Sequence, residues 1–172
     1  MEAELFLYLE QNFKAWENEH RDSTGFFWQT DNKDGMEISI SDEYPNCETK
    51  GYRATINSYI FAEAETLMKF ALNLKYTNKA NYYKNKADTI KVNVNNRLWD
   101  SQAKFYKVIP WDGNLTCSDV LELHGYTPWY FNIQPNEYSA AWRYLMSPEY
   151  FYNTDLTTTG ISCPLESKIP MH

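Results

Sequence analysis

Three carboxylates stand close together in an aromatic stretch, GFFWQTDNKDGMEISIS, which runs from Gly25 to Ser41. Asp31, Asp34 and Glu37 follow two phenylalanines and a tryptophan. A carboxyl group among apolar rings and other carboxylates has a raised pKa, because burial and like charge both disfavour its ionised form. Such a group stays protonated near neutral pH and can donate a proton to a leaving group.

Glu37 is the strongest candidate for such a proton donor. Apolar side chains flank it in the sequence, and Asp34 precedes it by three residues. Gly35 lets the backbone approach a ligand closely, since it has no side chain. These features make Glu37 a candidate catalytic acid, with Trp28, Asp34 and Gly35 as candidate ligand contacts.

The same three acids have simpler explanations. On composition alone, they can solvate a surface loop. A calcium loop fits poorly, because its first ligand position would be Thr30 and its twelfth would be Ser41, where a Glu is required. The three cysteines form no CxxC pair, which argues for free thiols over a zinc site. We expect neither a metal nor a cofactor.

The composition narrows the possible partners. The chain has 172 residues and a formal net charge of −7, with no basic stripe of the kind that binds nucleic acid. No segment reaches 18 apolar residues, so we expect no membrane span. The N-terminus MEAELFLYLEQNF is acidic and lacks the features of a signal peptide, so the default expectation is a cytoplasmic protein.

Hydrophobic periodicity predicts a mostly helical chain of antiparallel hairpins, with long loops and short extended pieces. The clearest pattern is a hairpin of two long helices over residues 55–99, whose second helix has Asn78 as its N-cap. The remaining predicted elements are a helix over 3–18, an extended piece over Phe105–Ile109, and short helices near 119–125 and 137–146, capped by Ser118 and Asn136.

Four segments carry a family resemblance: GFFWQTDNKDGMEISIS, YRATINSYIFAEAETL, RLWDSQAKFYKVIP and GYTPWYFNI. Together they resemble the six-hairpin glycosidases of the trehalase-like and mannosylglycerate-hydrolase-like superfamily. The resemblance implies an all-α fold that is part of an (α/α)6 toroid. It also implies hydrolysis of a glycosidic bond in an oligosaccharide or small glycoside, typically with inversion.

The resemblance also assigns roles to residues. The superfamily's general acid lies in a motif of the form (Asp/Glu)-Ser-Gly-apolar-Asp-x-Ser, and KDGMEIS falls in the same place, with Glu37 at the acid. This chain has Glu where many members have Asp, and Asp34 where they have Ser. The resemblance implies that the junction YRATIN, with Arg53 and Asn57, lies near the sugar. The alternatives are that Arg53 pairs with Glu37 or Asp34 and that Asn57 is only a neighbour of a helix N-cap. Trp129, in the second aromatic loop, is predicted either to stack on a sugar or to pack in the core.

The resemblance covers residues 1–160 as a partial catalytic domain and leaves 161–172 as an irregular tail. A closed toroid needs about twelve helices, and the resemblance places the catalytic base beyond this stretch. We therefore expect the isolated chain to be inactive and to self-associate through unpaired hairpin faces. The alternative is a non-catalytic carbohydrate-binding or helical interaction module derived from this fold.

Overall fold

The structure, a computed structural model, describes residues 2–30, 50–111 and 113–151, and the backbone of Ser167–Lys168. Helices dominate this part of the chain, which confirms the prediction of a mostly α fold. The five α-helices are α1 (Glu2–His20), α2 (Ala54–Asn73), α3 (Thr77–Asn93), α4 (Thr127–Tyr130) and α5 (Trp142–Leu145).

Short strands and tight helical turns connect these helices. The strands are β1 (Trp28–Thr30), β2 (Lys50–Tyr52), β3 (Trp99–Asp100), β4 (Phe105–Tyr106), β5 (Ile109–Pro110), β6 (Val120–Leu121) and β7 (Ser167–Lys168). A π-helical turn covers Val94–Leu98, and 3-10 turns cover Leu123–Tyr126 and Asn136–Ala141. No helix of the described residues is both long and apolar enough to cross a bilayer.

Helix α2 is the centre of the fold. Its first five residues, 54–58, are all buried, and its apolar stripe packs against α3 on one side and α1 on the other. The turn between α2 and α3 places Lys75 in the left-handed region, with φ of 62°. The amide of Tyr76 then donates to the carbonyl of Ala71 at 2.8 Å, which satisfies an end carbonyl of α2.

This turn corrects one sequence prediction. Asn78 does not cap α3, because the helix begins at Thr77 and the residue before it is Tyr76. The tight ending of α2 brings the chain directly into α3, so Asn78 falls inside its first turn.

The predicted helix near 119–125 is also wrong in its first half. Val120 and Leu121 form β6, which pairs antiparallel with Lys168 and Ser167 of β7. Ser118 caps no helix, since its amide donates to the carbonyl of Val108 at 2.7 Å and its hydroxyl has no hydrogen-bond partner among the described residues. By contrast, the helix predicted near 137–146 is present as a 3-10 turn followed by α5, and Phe105–Ile109 is extended as predicted.

A buried carboxylate joins α1 to α3. Glu10 accepts hydrogen bonds from the ammonium of Lys79 at 2.8 and 2.9 Å and from the hydroxyl of Tyr83 at 3.0 Å. Burial acts to raise the pKa of Glu10, but these two donors and nearby Lys14 outweigh it and lower that pKa below the ordinary 4.5. The ionised form of Glu10 therefore stabilises the fold.

We expect Glu10→Gln to lower the free energy of unfolding by about 1–2 kcal/mol at pH 7, because it removes a charge-assisted contact whose partner Lys79 is still half in water. The folded pKa is the lower one, so the contribution of Glu10 is present above pH 4.5 and is lost as pH falls through the folded pKa. Denaturant unfolding at several pH values should therefore show the difference between wild type and variant shrinking in acid.

The matched control is Glu65→Gln, which removes only an exposed pair with Lys69 one turn away on α2. It should change stability by less than about 0.5 kcal/mol. Equal effects of the two substitutions would show that Glu10 does not join the helices as described.

Candidate active site

Three short strands set the base of the segment that carries the predicted acid. Strand β2 lies between β1 and β5, and β1 pairs with it antiparallel, with Trp28 opposite Tyr52 and Thr30 opposite Lys50. Residues 31–49 connect Thr30 to Lys50 and lie outside the described residues, and with them Asp31, Asp34, Gly35 and Glu37. The two residues that flank this acidic segment, Thr30 and Lys50, therefore lie side by side at the same end of the β1–β2 pair.

Asn57 fixes the chain just before β1. Its side-chain oxygen accepts from the amide of Phe27 at 3.0 Å, and its side-chain nitrogen donates to the carbonyls of Phe27 and Arg53, each at 2.9 Å. Asn57 is buried in the first turn of α2, so these bonds join the loop to the helix away from water. The structure thus gives Asn57 a positioning role, while a direct contact with sugar stays a prediction.

Arg53 is fully buried at the residue that precedes α2. Its guanidinium donates to the carbonyl of Gln29 in β1 at 3.4 Å. The strand that leads into the acidic segment therefore rests on a buried cation. A guanidinium next to a carboxylate favours the ionised form of that carboxylate. Its several N–H donors can also bind the hydroxyl groups of a sugar.

A second polar contact ties the end of α1 to β2. The hydroxyl of Tyr52 donates to Asp22 at 2.5 Å, and the backbone amide of Thr24 donates to the same carboxylate at 2.9 Å. Burial acts to raise the pKa of Asp22, but its hydrogen bonds to Thr24 and Tyr52 and the nearby charge of Arg97 lower it below its ordinary value. Asp22 is therefore a structural anion that holds the loop after α1.

Trp28 belongs to an aromatic group at the edge of the sheet. Its ring centroid lies 4.4 Å from that of His20 and 5.7 Å from that of Trp111, and the ammonium of Lys50 lies 3.9 Å from it. Trp111 is 42% exposed, so it presents more open ring surface than its half-buried neighbour. Sequence reasoning missed Trp111 and Lys50, although an indole directly after the extended Ile109–Pro110 was a usable signal.

Trp129 lies in a different aromatic group. Its ring contacts those of Trp99, Tyr106, Tyr126 and Trp142, with centroids 5.4–6.3 Å apart. Among the ring contacts of the described residues, it shares no partner with Trp28. Trp129 packs against both hydrophobic cores, which favours the packing interpretation over the sugar contact.

A buried acid and base pair lies near Trp129. The imidazole of His124 is 3.2 Å from the carboxylate of Glu122, and both side chains are almost fully buried. Gly125 follows, and a Cβ there would lie 2.4 Å from the carbonyl oxygen of Tyr106. A side chain at position 125 would clash with this backbone, so glycine is required there. Across the ranges that the structure describes, no three His, Cys, Asp or Glu side chains are grouped so that they could hold a metal ion.

The family described as the mannosylglycerate hydrolase MGH1-like glycoside hydrolase domain has a model that matches residues 2–164. The chain belongs to this family. The MGH1-like membership confirms the resemblance to six-hairpin glycoside hydrolases that the four sequence segments carry.

A solved structure titled "Sialidase" is similar to this MGH1-like chain, with a TM-score of 0.79 and 34% sequence identity. The match covers 87% of this chain and 13% of that one, so the chain spans a small part of the length of its structural relative. A comparison with curated proteins found no match.

We predict that Asn57→Ala lowers the free energy of unfolding by about 2–4 kcal/mol, because it leaves the amide and carbonyl of Phe27 buried without these partners. Thermal or denaturant unfolding measures this loss. Asn85→Ala, on the exposed side of α3, is the matched control and should cost less than about 0.5 kcal/mol. If both variants unfold alike, Asn57 does not anchor the loop.

Proposed function

We propose that this chain is the acid-bearing part of an inverting glycoside hydrolase, with Glu37 as the general acid. Membership of a glycoside hydrolase family supports the reaction class. One geometric observation carries the site: Thr30 and Lys50 are paired neighbours, so segment 31–49 starts and ends beside Trp28 and Trp111. An aromatic surface next to an acid is the arrangement that a sugar-cleaving site needs.

The chemistry divides between two carboxyl groups. The protonated acid gives its proton to the glycosidic oxygen, while a second carboxylate activates water on the opposite face of the ring. In inverting enzymes the two carboxyl groups are about 6.5–9.5 Å apart. Glu37 would supply the proton. None of Glu122, Glu137, Glu149 and Glu166 matches a base motif, so we place the base in another part of the protein.

Other residues of the site would bind and orient the sugar. Trp111 offers the more exposed ring, Trp28 supports it, and Arg53 holds the strand that leads into the acidic segment. Asp34 and Gly35 would line the acid loop, and Asp34 would help to keep the neighbouring carboxyl protonated through like-charge repulsion.

Glu37→Gln in the complete protein should slow hydrolysis of natural glycosides by at least about 10²-fold, because general acid catalysis is worth about 10²–10⁴-fold. Glycosyl fluorides have a good leaving group and need little protonation, so their hydrolysis should fall much less. Steady-state kinetics on both substrate types measures the difference.

Asp34→Asn is the matched variant in the same loop. It should slow natural glycosides by less than Glu37→Gln does and glycosyl fluorides hardly at all, because it lowers the pKa of the acid without removing the proton donor. If Glu37→Gln slows both types equally, or neither, Glu37 is not the acid. Sugar binding by the complete protein with no hydrolysis of any glycoside would instead favour a carbohydrate-binding module.

We also propose that the isolated chain self-associates through α1. Leu5, Leu7 and Tyr8 are exposed on this helix, and Tyr8 is 64% exposed. Large apolar side chains in a patch favour association. Sedimentation velocity should show a concentration-dependent increase in mass that Leu5→Glu combined with Tyr8→Glu abolishes. A monomer at every concentration would contradict the proposal.

A further inference from the structure

A cleft of about 360 Å³ lies between α1 and the first half of α2. Its volume falls in the range of about 300–1,000 Å³ that is typical of small-ligand sites. The residues that line it come from three elements, and they are Trp16, Gln29, Thr55, Ile56, Tyr59, Ile60 and Glu63. The sequence analysis assigned no function to this set.

The lining combines aromatic walls with an apolar floor. Trp16 is half-buried and Tyr59 is 59% exposed, while Ile56 and Ile60 are buried beneath them. The ring of Tyr59 meets that of Phe131 edge to face at 5.1 Å, which holds it in place. Flat aromatic area next to a few polar groups suits the apolar faces and hydroxyl groups of a sugar.

One polar group in the cleft lacks a partner. Thr55 is only 8% exposed, and its hydroxyl has no hydrogen bond within the part of the chain that the structure describes. Buried polar side chains are rarely left in this state, because the lost hydration is costly. A hydroxyl group of a ligand would satisfy Thr55 from within the cleft.

The charge of the residues that line the cleft determines whether it favours an anionic or a neutral sugar. Glu63 is the one charged residue of the seven, and Asn12 donates to its carboxylate at 2.8 Å. Burial raises the pKa of Glu63, although the bond from Asn12 opposes this. Among the described residues that line the cleft there is no cation, so this lining disfavours an anionic sugar and suits a neutral one.

We propose that this cleft is a second sugar-binding subsite, which holds a neutral hexose unit of the carbohydrate ligand. The inference rests on the proposed function, because it treats the cleft as an extension of the same site. Trp16 connects to the aromatic group of β1 through His20, whose ring centroid is 4.4 Å from those of Trp16 and Trp28. Gln29, next to Trp28 in β1, lines the cleft itself.

The test is calorimetric titration of the complete protein with maltotriose, mannotriose and sialyllactose. Wild type should bind a neutral trisaccharide more tightly than sialyllactose. Thr55→Val keeps the side-chain shape, so it should weaken that binding about three- to tenfold while the melting temperature of the free protein stays the same or rises. Tyr59→Ala should weaken binding further, and Tyr82→Ala, which replaces an exposed tyrosine of α3, should have no effect.

Unchanged binding in Thr55→Val and Tyr59→Ala would overturn the inference. If the melting temperature of both variants also fell, another segment of the protein would be filling the cleft. Titration in a Glu37→Gln background separates the two proposals: binding that depends on Thr55 supports the subsite even if Glu37→Gln leaves hydrolysis intact.

Discussion

The buried start of α2 constrains the rest of this structure. Residues 54–58 are shielded from water, so backbone groups that pack against them need partners within the protein. Asn57 provides these partners for both polar groups of Phe27 and for the carbonyl of Arg53. Strand β1 begins at the next residue, and its pairing with β2 then sets where segment 31–49 leaves and returns. Asn57 thus anchors the chain at the start of the strand that leads to residue 31.

Aromatic side chains connect the two hydrophobic cores of the described residues. One core lies among α1, α2 and α3, and the other surrounds Phe105 and Tyr144. Trp99 and Trp129 pack against both, and Trp99 stacks on Tyr138 with ring centroids 3.7 Å apart and planes 8° from parallel. These ring contacts pack the irregular segments after α3 against one another.

The sequence predicted what depends on local periodicity and missed what depends on distant partners. Helices α1, α2 and α3 have regular apolar stripes, and the structure contains all three. The sequence pattern did not predict strand β6, because its partner, β7, is more than 40 residues away along the chain. The same reason hid the role of Asn57, whose partner Phe27 lies 30 residues earlier. Trp129 followed a sugar-site pattern in sequence, but its ring neighbours come from four separate positions that only the fold brings together.

The charges in and next to segment 31–49 constrain where a proton donor can lie. Segment 31–49 contains six acidic residues and one lysine, and Lys50 and Arg53 follow it closely in sequence. Like charges in the segment favour a protonated carboxyl, whereas the two cations favour an ionised one. The ammonium of Lys50 lies over the rings of Trp28 and Trp111, and the guanidinium of Arg53 is buried against a carbonyl of β1, so both cations are held at the base of the segment. A carboxyl that acts as a proton donor must therefore lie farther from this base than from its acidic neighbours, since Coulomb energy falls with distance.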